Sequence, residues 1–161
     1  MVKKGRIESH DFSFGVTSAI MTSLVLIIGL ASNTDRISLI TALLIIAIAD
    51  NLSDSFGIHI YQESKGMTPK EVKKTTRNNF ITRMLATFVF ILFVIFLPRN
   101  LIIPFSIFFG LVVLIILSYV ISRMQKINPY RSIIRHITLA VVLIALGFIL
   151  KYIILKISPM Y

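Results

Sequence analysis

The chain has no cysteine and little charge. Asp and Glu together number only seven among 161 residues, and charged residues of both signs make up 15%. Without cysteine, the chain has no disulfide, thiolate metal site or cysteine nucleophile. A soluble domain of this size needs more polar surface, yet 56% of the residues are hydrophobic and the mean hydropathy is +0.87. The composition therefore predicts an integral membrane protein.

The apolar residues are grouped into five segments of about 20 residues, the length that a helix needs to cross a bilayer. No repeat or low-complexity segment interrupts them, and the longest polar stretch is too short for a core of its own. We therefore predict an all-α integral membrane protein with a single polytopic domain over 1–161 and a short basic linker over 62–79. The five predicted spans are Phe12–Ala31, Ile37–Ile60, Phe80–Leu97, Leu101–Ser122 and Ile133–Ile157.

Three connections carry local stop and start signals. Thr68-Pro69-Lys70-Glu71 has the pattern of a capping box with proline at the first helical position. It predicts a basic helix that continues into the third span. Asn128-Pro129 predicts a similar start before the fifth span, and Pro98-Arg99-Asn100 leaves room only for a tight hairpin between the third and fourth.

Charge distribution predicts how the spans are oriented. The net charge is +10, and most of the 17 basic residues fall at the amino terminus and in the connections after the second and fourth spans. Arg83, near the start of the third span, is grouped with them. The positive-inside rule then places the amino terminus in the cytoplasm and the carboxyl terminus outside, in a multi-pass protein of the cell membrane. Basic residues so placed meet lipid headgroups, and we expect no nucleic-acid partner.

Two aspartates, Asp50 and Asp54, interrupt the second span one helical turn apart. A carboxylate at the bilayer centre costs roughly 2.5–3.5 kcal/mol on insertion scales. At 100° per residue the two side chains share one face of the helix, about 6 Å apart along its axis. That spacing suits two ligands to one hard cation, or two steps of a proton relay. An intramembrane site for a divalent cation or a proton is therefore the leading hypothesis.

Three neighbours extend this candidate metal site. Asn51 lies on the adjoining strip of the second helix, and Ser53 lies at the edge of the aspartate face. Met21, in the middle of the first span, offers a thioether to a borderline metal. His59 points away from the aspartates on the helical wheel and is not counted as a ligand.

Other functions compete with ion transport. The aspartates could be protonated and bonded to hydroxyl groups of the first span, as polar residues that join membrane helices. The protein would then be a non-catalytic scaffold or subunit. Asp-x-x-x-Asp also binds Mg²⁺ in enzymes that transfer lipid headgroups, but the further aspartates of that pattern are missing here. No nucleotide-binding motif is present, so we expect no enzyme, no cofactor and transport driven by gradients.

The segment Ala49-Asp-Asn-Leu-Ser-Asp-Ser-Phe-Gly57, continuing to Glu63-Ser64, resembles the second membrane helix of the vacuolar iron transporter family. That helix typically reads Ala-Gly-Ala-Leu-Ser-Met-Ala-Ala-Gly, with matches here at Ala49, Leu52, Ser53 and Gly57. Asp50 and Asp54 stand where the family has glycine and methionine. Phe14-Gly15 stands where its first helix has Asp-Gly, and the family's long cytoplasmic metal-binding domain is reduced here to 62–79.

The resemblance implies a compact relative that transports a divalent metal of the iron or manganese class. Carboxylates in place of a thioether favour the harder cations among these metals. The family forms two-fold dimers with the pathway at the interface, which would place two copies of Asp50 and Asp54 around one axis. Four negative charges there require cations or protons as partners, so the resemblance implies a homodimer that exchanges metal against protons.

Overall fold

The structure, a computed structural model, describes the backbone of residues 4–157 and the side chains of residues 15–157. Within these residues the chain forms five long α-helices joined by short turns. Each helix has 27–29 residues, or about 40 Å, which exceeds the ~30 Å hydrocarbon core of a bilayer. The helices are α1 (Lys4–Leu30), α2 (Arg36–Ser64), α3 (Pro69–Phe96), α4 (Arg99–Gln125) and α5 (Pro129–Ile157).

Four of the helices, α2 to α5, are long and apolar enough to cross a membrane. They indicate a multi-pass membrane protein, and they include the second to fifth predicted spans to within one residue, with α3 beginning eleven residues before its predicted span. In α1 the apolar stretch among the described side chains is Gly15–Leu30. The first predicted span, Phe12–Ala31, begins before those side chains, so its crossing of the membrane stays a prediction.

The helices begin where the local signals predicted. The Glu71 carboxylate accepts hydrogen bonds from Thr68 N (3.2 Å) and Thr68 Oγ1 (2.7 Å), which completes the predicted capping box. α5 begins at Pro129, with Asn128 Oδ1 accepting from Tyr130 N at 3.0 Å. The predicted linker 62–79 proves mostly helical, because only residues 65–68 separate α2 from α3.

The start of α2 has its own cap. Asp35 Oδ1 accepts from Ser38 N at 2.9 Å, and Oδ2 accepts from Ser38 Oγ at 2.6 Å. Bonds from the Ser38 side chain and backbone hold the pKa of the Asp35 carboxyl below its usual value. The cap satisfies a backbone donor of the first turn and fixes where the helix begins.

Two arginines join neighbouring helix ends at the end of the bundle opposite the α2–α3 turn. Arg36, at the start of α2, donates to the carbonyls of Ile95 (2.6 Å) and Leu97 (3.0 Å) at the end of α3. Arg99, at the start of α4, donates to the Ala31 carbonyl just after α1 (3.2 Å). Cations are favoured there because the last carbonyls of a helix lack partners within the helix. These contacts make α2 antiparallel to α3 and α4 antiparallel to α1, with the predicted tight hairpin between α3 and α4.

α1 is the central helix, packed mainly against α3, α4 and α5 and only lightly against α2. Its described inner face is fully buried and largely aliphatic, as at Leu24 and Ile27. On the other helices much of the buried surface is polar or small, whereas many large apolar side chains are exposed. This inverted polarity is what helix packing in lipid requires. The buried polar residues of α2 to α5 are Asn51, Ser55, Gln62, Thr75, Asn79, Arg83, Thr87, Ser106, Ser118, Ser122 and Ser132.

Candidate cation site

The most buried charged side chain in the described part of the chain is Arg83, which is 0% exposed. It lies at the middle of α3, on a stripe that recurs every three or four residues through Thr75, Asn79 and Thr87. Because this spacing matches the helical period, the stripe faces the neighbouring helices along most of α3. The grouping of Arg83 with the cytoplasmic basic residues was therefore wrong, since the guanidinium lies within the bundle.

Arg83 is bound by three side chains of α2. Its Nε donates to Asn51 Oδ1 at 2.7 Å, and its Nη2 donates to Asp50 Oδ2 at 2.5 Å. Its Nη1 forms an ion pair with Asp54 Oδ2. The planar guanidinium, with donors on three nitrogens, can serve all three acceptors at once. We call Asp50, Asn51, Asp54 and Arg83 the charge cluster.

The spacing of the α2 residues explains this arrangement. Asp50 and Asp54 are one turn apart and lie at the edge of the α2–α3 interface, with side chains 38% and 34% exposed. Asn51 is on the adjoining strip and is 1% exposed. The predicted wheel is confirmed in this respect, since the aspartates share one edge and Asn51 lies beside them. The cluster therefore has a fully buried cation and two carboxylates that remain partly open.

Helix α1 covers the opposite side of Arg83 because residue 15 is glycine. A Cβ at Gly15 would lie 2.6 Å from Asn79 Oδ1, closer than real Cβ contacts, and 3.2 Å from Arg83 Cγ, tighter than most of them. Gly15 thus lets α1 approach α3 at the level of the charge cluster. Phe14, the other residue of the family comparison, has a side chain outside the described residues.

The charge cluster has an unbalanced charge and polar atoms without hydrogen-bond partners. Two ionised carboxylates and one guanidinium have a net charge of −1. In addition, Asn51 Nδ2 and both polar atoms of the Asn79 side chain are buried without a hydrogen-bond partner. Most buried polar atoms in proteins have a partner, so a group of such exceptions calls for an explanation. The cluster has capacity for one further positive charge and for further hydrogen bonds.

Two predicted ligands lie apart from this arrangement. Ser53 is exposed on α2 and makes none of the contacts to Arg83. Met21 is half-buried and borders a cleft of about 350 Å³ between α1, α2 and α5, together with Ile46 and Leu143. Ile46 lies one turn from Asp50 along α2, so the cleft opens close to the charge cluster. Among the described residues, no three His, Asp or Glu side chains converge to hold a metal ion.

Among the described side chains, the polar partners of the aspartates come from α3 and not from the hydroxyl groups of α1. Thr22 Oγ1 instead donates to the Ser18 carbonyl of its own helix at 3.0 Å, and Ser23 Oγ has no hydrogen-bond partner. The sequence contained a signal for Arg83. It is an arginine inside an apolar helix, and a single buried arginine requires carboxylates from elsewhere in the membrane. Asp50 and Asp54 are the aspartates within the described apolar spans.

No family model, curated protein or solved structure matches this chain. The resemblance to vacuolar iron transporters therefore stays a proposal. The geometry of the charge cluster has to support any function by itself.

Proposed function

We propose that the protein is a membrane transporter that takes up a cation at Asp50 and Asp54 and exchanges it for protons. The observation that carries this proposal is a pair of partly exposed carboxylates held by one fully buried guanidinium at the middle of two apolar helices. Ionisable groups at this depth are costly in lipid and are usually found on ion or proton pathways.

The charge of the cluster supports exchange. Its net charge of −1 can be neutralised by one proton. A divalent cation bound to the same carboxylates would change the total to +1, so metal uptake favours loss of that proton. Arg83 acts as an internal counter-ion that keeps the empty site from holding two uncompensated carboxylates. Such compensation lowers the cost of the empty state during a transport cycle.

The ligand chemistry supports a hard divalent cation. Asp50 and Asp54 offer carboxylate oxygens, which suit Mn²⁺, Mg²⁺ and, less strongly, Fe²⁺, whereas the predicted ligand Asn51 has its amide oxygen bonded to Arg83 Nε. We propose the iron or manganese class, in agreement with the resemblance of α2. The metal would bind on the open side of the carboxylates, since their Oδ2 atoms face Arg83.

The proposal includes topology and assembly. With the amino terminus in the cytoplasm of a cell-membrane protein, the basic first turns of α3 lie on the cytoplasmic side, as the positive-inside rule favours. A homodimer through α2 is supported by Ala49, Ser53 and Gly57, small residues one turn apart on its exposed face. That contact would place the charge clusters of two protomers close together.

Flux into proteoliposomes tests the transport proposal. We expect Mn²⁺ or reduced Fe²⁺ to enter with a change in signal from an internal pH dye. Asp50→Asn or Asp54→Asn should lower the rate at least tenfold, because each removes a charge that the cation needs. Asp35→Asn is the matched control, since it makes the same chemical change at the exposed cap of α2 and asparagine also caps helices well. Equal flux in all four proteins, or none above empty vesicles from folded wild-type protein, would contradict transport by this site.

A non-catalytic scaffold is the second candidate, because the contacts of Arg83 also join α2 to α3. In that case Asp50→Asn and Asp54→Asn should change the thermal stability of the folded protein. The wild-type protein should show no cation flux. Measuring stability and flux on the same preparations separates the two functions.

A further inference from the structure

A second site lies on the other side of the α2–α3 hairpin. A groove of about 690 Å³ runs between the last turns of α2 and the first turns of α3. Along α2 it extends from Leu52 to Glu63, which is about 16 Å at 1.5 Å per residue. We call it the hairpin groove. Ser55 lines it, whereas the two aspartates of the charge cluster do not.

Polarity changes along the hairpin groove. Toward the turn it is bordered by Lys73 and Arg77, which are exposed and have no ion-pair partner among the described residues. Toward the middle of the helices it is bordered by Leu52, Phe56 and Phe80. The groove therefore has a cationic end near the membrane surface and an apolar end that extends toward the bilayer centre.

Hydrogen bonds between α2 and α3 set the depth of each residue. Thr75 Oγ1 contacts Gln62 Oε1, and Thr76 Oγ1 lies 3.3 Å from His59 Nδ1. In this antiparallel register Ser55 lies near the level of Phe80, about one turn deeper than Arg77. Ser55 is 5% exposed, and its Oγ is a buried polar atom without a hydrogen-bond partner. The floor of the groove thus has an unsatisfied polar group below the cations.

We infer that the hairpin groove binds one anionic phospholipid of the adjacent leaflet. The phosphate lies between Lys73 and Arg77, and an ester carbonyl at the next depth accepts a hydrogen bond from Ser55 Oγ. One acyl chain lies along Phe56 and Phe80. The length of the groove matches half of a hydrocarbon core of about 30 Å. This inference requires the membrane location of the hairpin and is independent of whether the charge cluster transports a cation.

Charge favours an anionic over a zwitterionic headgroup. Lys73 and Arg77 contribute two positive charges, and Glu63, whose carboxylate lies 3.3 Å from His59 Nε2, contributes one negative charge, so this end of the groove has a net charge of +1. A zwitterionic lipid would add its own cation to this end of the groove. Attraction of basic residues to anionic lipid is roughly 1 kcal/mol per charge, or about fivefold in affinity. A net charge of +1 predicts a preference of about fivefold for phosphatidylglycerol over phosphatidylcholine, and direct contact of the phosphate with both cations raises it to at most about 25-fold.

The absence of tryptophan from the chain allows a direct test. Phe56→Trp places a single tryptophan in the groove at a position that is 65% exposed and has room for the larger ring. The full-length variant is reconstituted in phosphatidylcholine vesicles that contain increasing fractions of brominated phosphatidylglycerol, or of brominated phosphatidylcholine. Bromine quenches the fluorophore on contact. We expect quenching at several-fold lower fractions of the anionic lipid, and we expect Lys73→Gln with Arg77→Gln to remove this difference.

Two controls isolate the groove. Phe148→Trp, on an exposed part of α5, should be quenched equally by both brominated lipids. Lys65→Gln with Lys70→Gln removes the same charge from the same end of the hairpin outside the groove, and should leave the preference of Phe56→Trp intact. Equal quenching of Phe56→Trp by the two lipids would overturn the inference. The inference would also be overturned if the preference for the anionic lipid remained after replacement of Lys73 and Arg77. Loss of that preference after replacement of Lys65 and Lys70 would overturn it as well.

Discussion

The two helical hairpins of the bundle differ in what they bury. α2–α3 and α4–α5 have helices of similar length, and in both a buried stripe follows the helical period. In α4–α5 the stripe consists mainly of small residues and aliphatics, such as Gly110, Leu114 and Ala140. In α2–α3 the stripe contains the amides Asn51 and Asn79 and the charged Arg83. The difference lies in the buried charge and the buried amides, because buried hydroxyl groups occur in both hairpins.

The α4–α5 hairpin shows what assembly in lipid requires. Small residues let backbones approach, and a serine supplies an occasional cross-helix hydrogen bond, as between Ser118 Oγ and His136 Nδ1 at 2.8 Å. A buried ion pair is not needed for this and often contributes no more stability than well-packed apolar residues. The comparison therefore favours a functional reason for the charges of α2–α3.

Replacing Arg83 should have the largest effect on stability of the changes considered for the two hairpins. Arg83→Met leaves two carboxylates without their counter-ion inside the bundle, and we expect a loss of about 3 kcal/mol in the free energy of unfolding. Equilibrium unfolding in mixed micelles, followed by circular dichroism, measures it. The triple variant Arg83→Met, Asp50→Asn, Asp54→Asn should recover most of the lost stability, because no unpaired charge remains.

The triple variant also separates stability from function. If charge is retained for transport, the triple variant should be stable and inactive in the flux assay. An Arg83→Met protein as stable as wild type would show that the guanidinium is not an obligatory partner of the carboxylates. In that case the electrostatic distinction between the two hairpins would be wrong.

Replacing Gly15 should have an intermediate effect on stability, which acts through the packing of α1 on the charge cluster. Gly15→Ala places a methyl group against Asn79 and Arg83, whereas a Cβ at Gly29 of the same helix meets nothing within 4 Å. We expect Gly15→Ala to destabilise by about 1–2 kcal/mol, the strain being partly offset by the better helix propensity of alanine. Gly29→Ala should be neutral or slightly stabilising. Apparent melting temperatures of the two variants in the same detergent test this, and equal values would contradict close packing of α1 on the cluster.

Much of the fold was predictable from the sequence because its signals are local. Apolar length predicted α2 to α5, and the start of α3 follows from the capping box at Thr68-Pro69-Lys70-Glu71. The shared edge of Asp50 and Asp54 follows from the helical period alone. Each of these features depends on residues within a single helix or at its first turn.

The partner of the aspartates was not predictable in this way. Arg83 lies 29 residues beyond Asp54, and only the register of the α2–α3 hairpin brings the two together. Counting positive charges assigned Arg83 to the cytoplasmic side, since a charge count ignores which face of a helix a residue occupies. Met21 and Ser53 were selected for their chemistry, and the structure places neither of them among the contacts of Arg83.

Replacing Ser118 tests how far the α4–α5 hairpin depends on a polar contact, and we expect the smallest effect on stability here. Ser118→Ala removes the contact with His136 between α4 and α5 and a second bond to the Leu114 carbonyl within α4. Hydrogen bonds between membrane helices contribute about 0.6 kcal/mol on average, because the separated helices also find partners. We expect a loss of that size in the same unfolding assay, and no change in flux or in lipid preference. A loss as large as that of Arg83→Met would mean that α4–α5 also depends on a polar contact. The polar content of α2–α3 would then no longer distinguish a functional hairpin from a structural one.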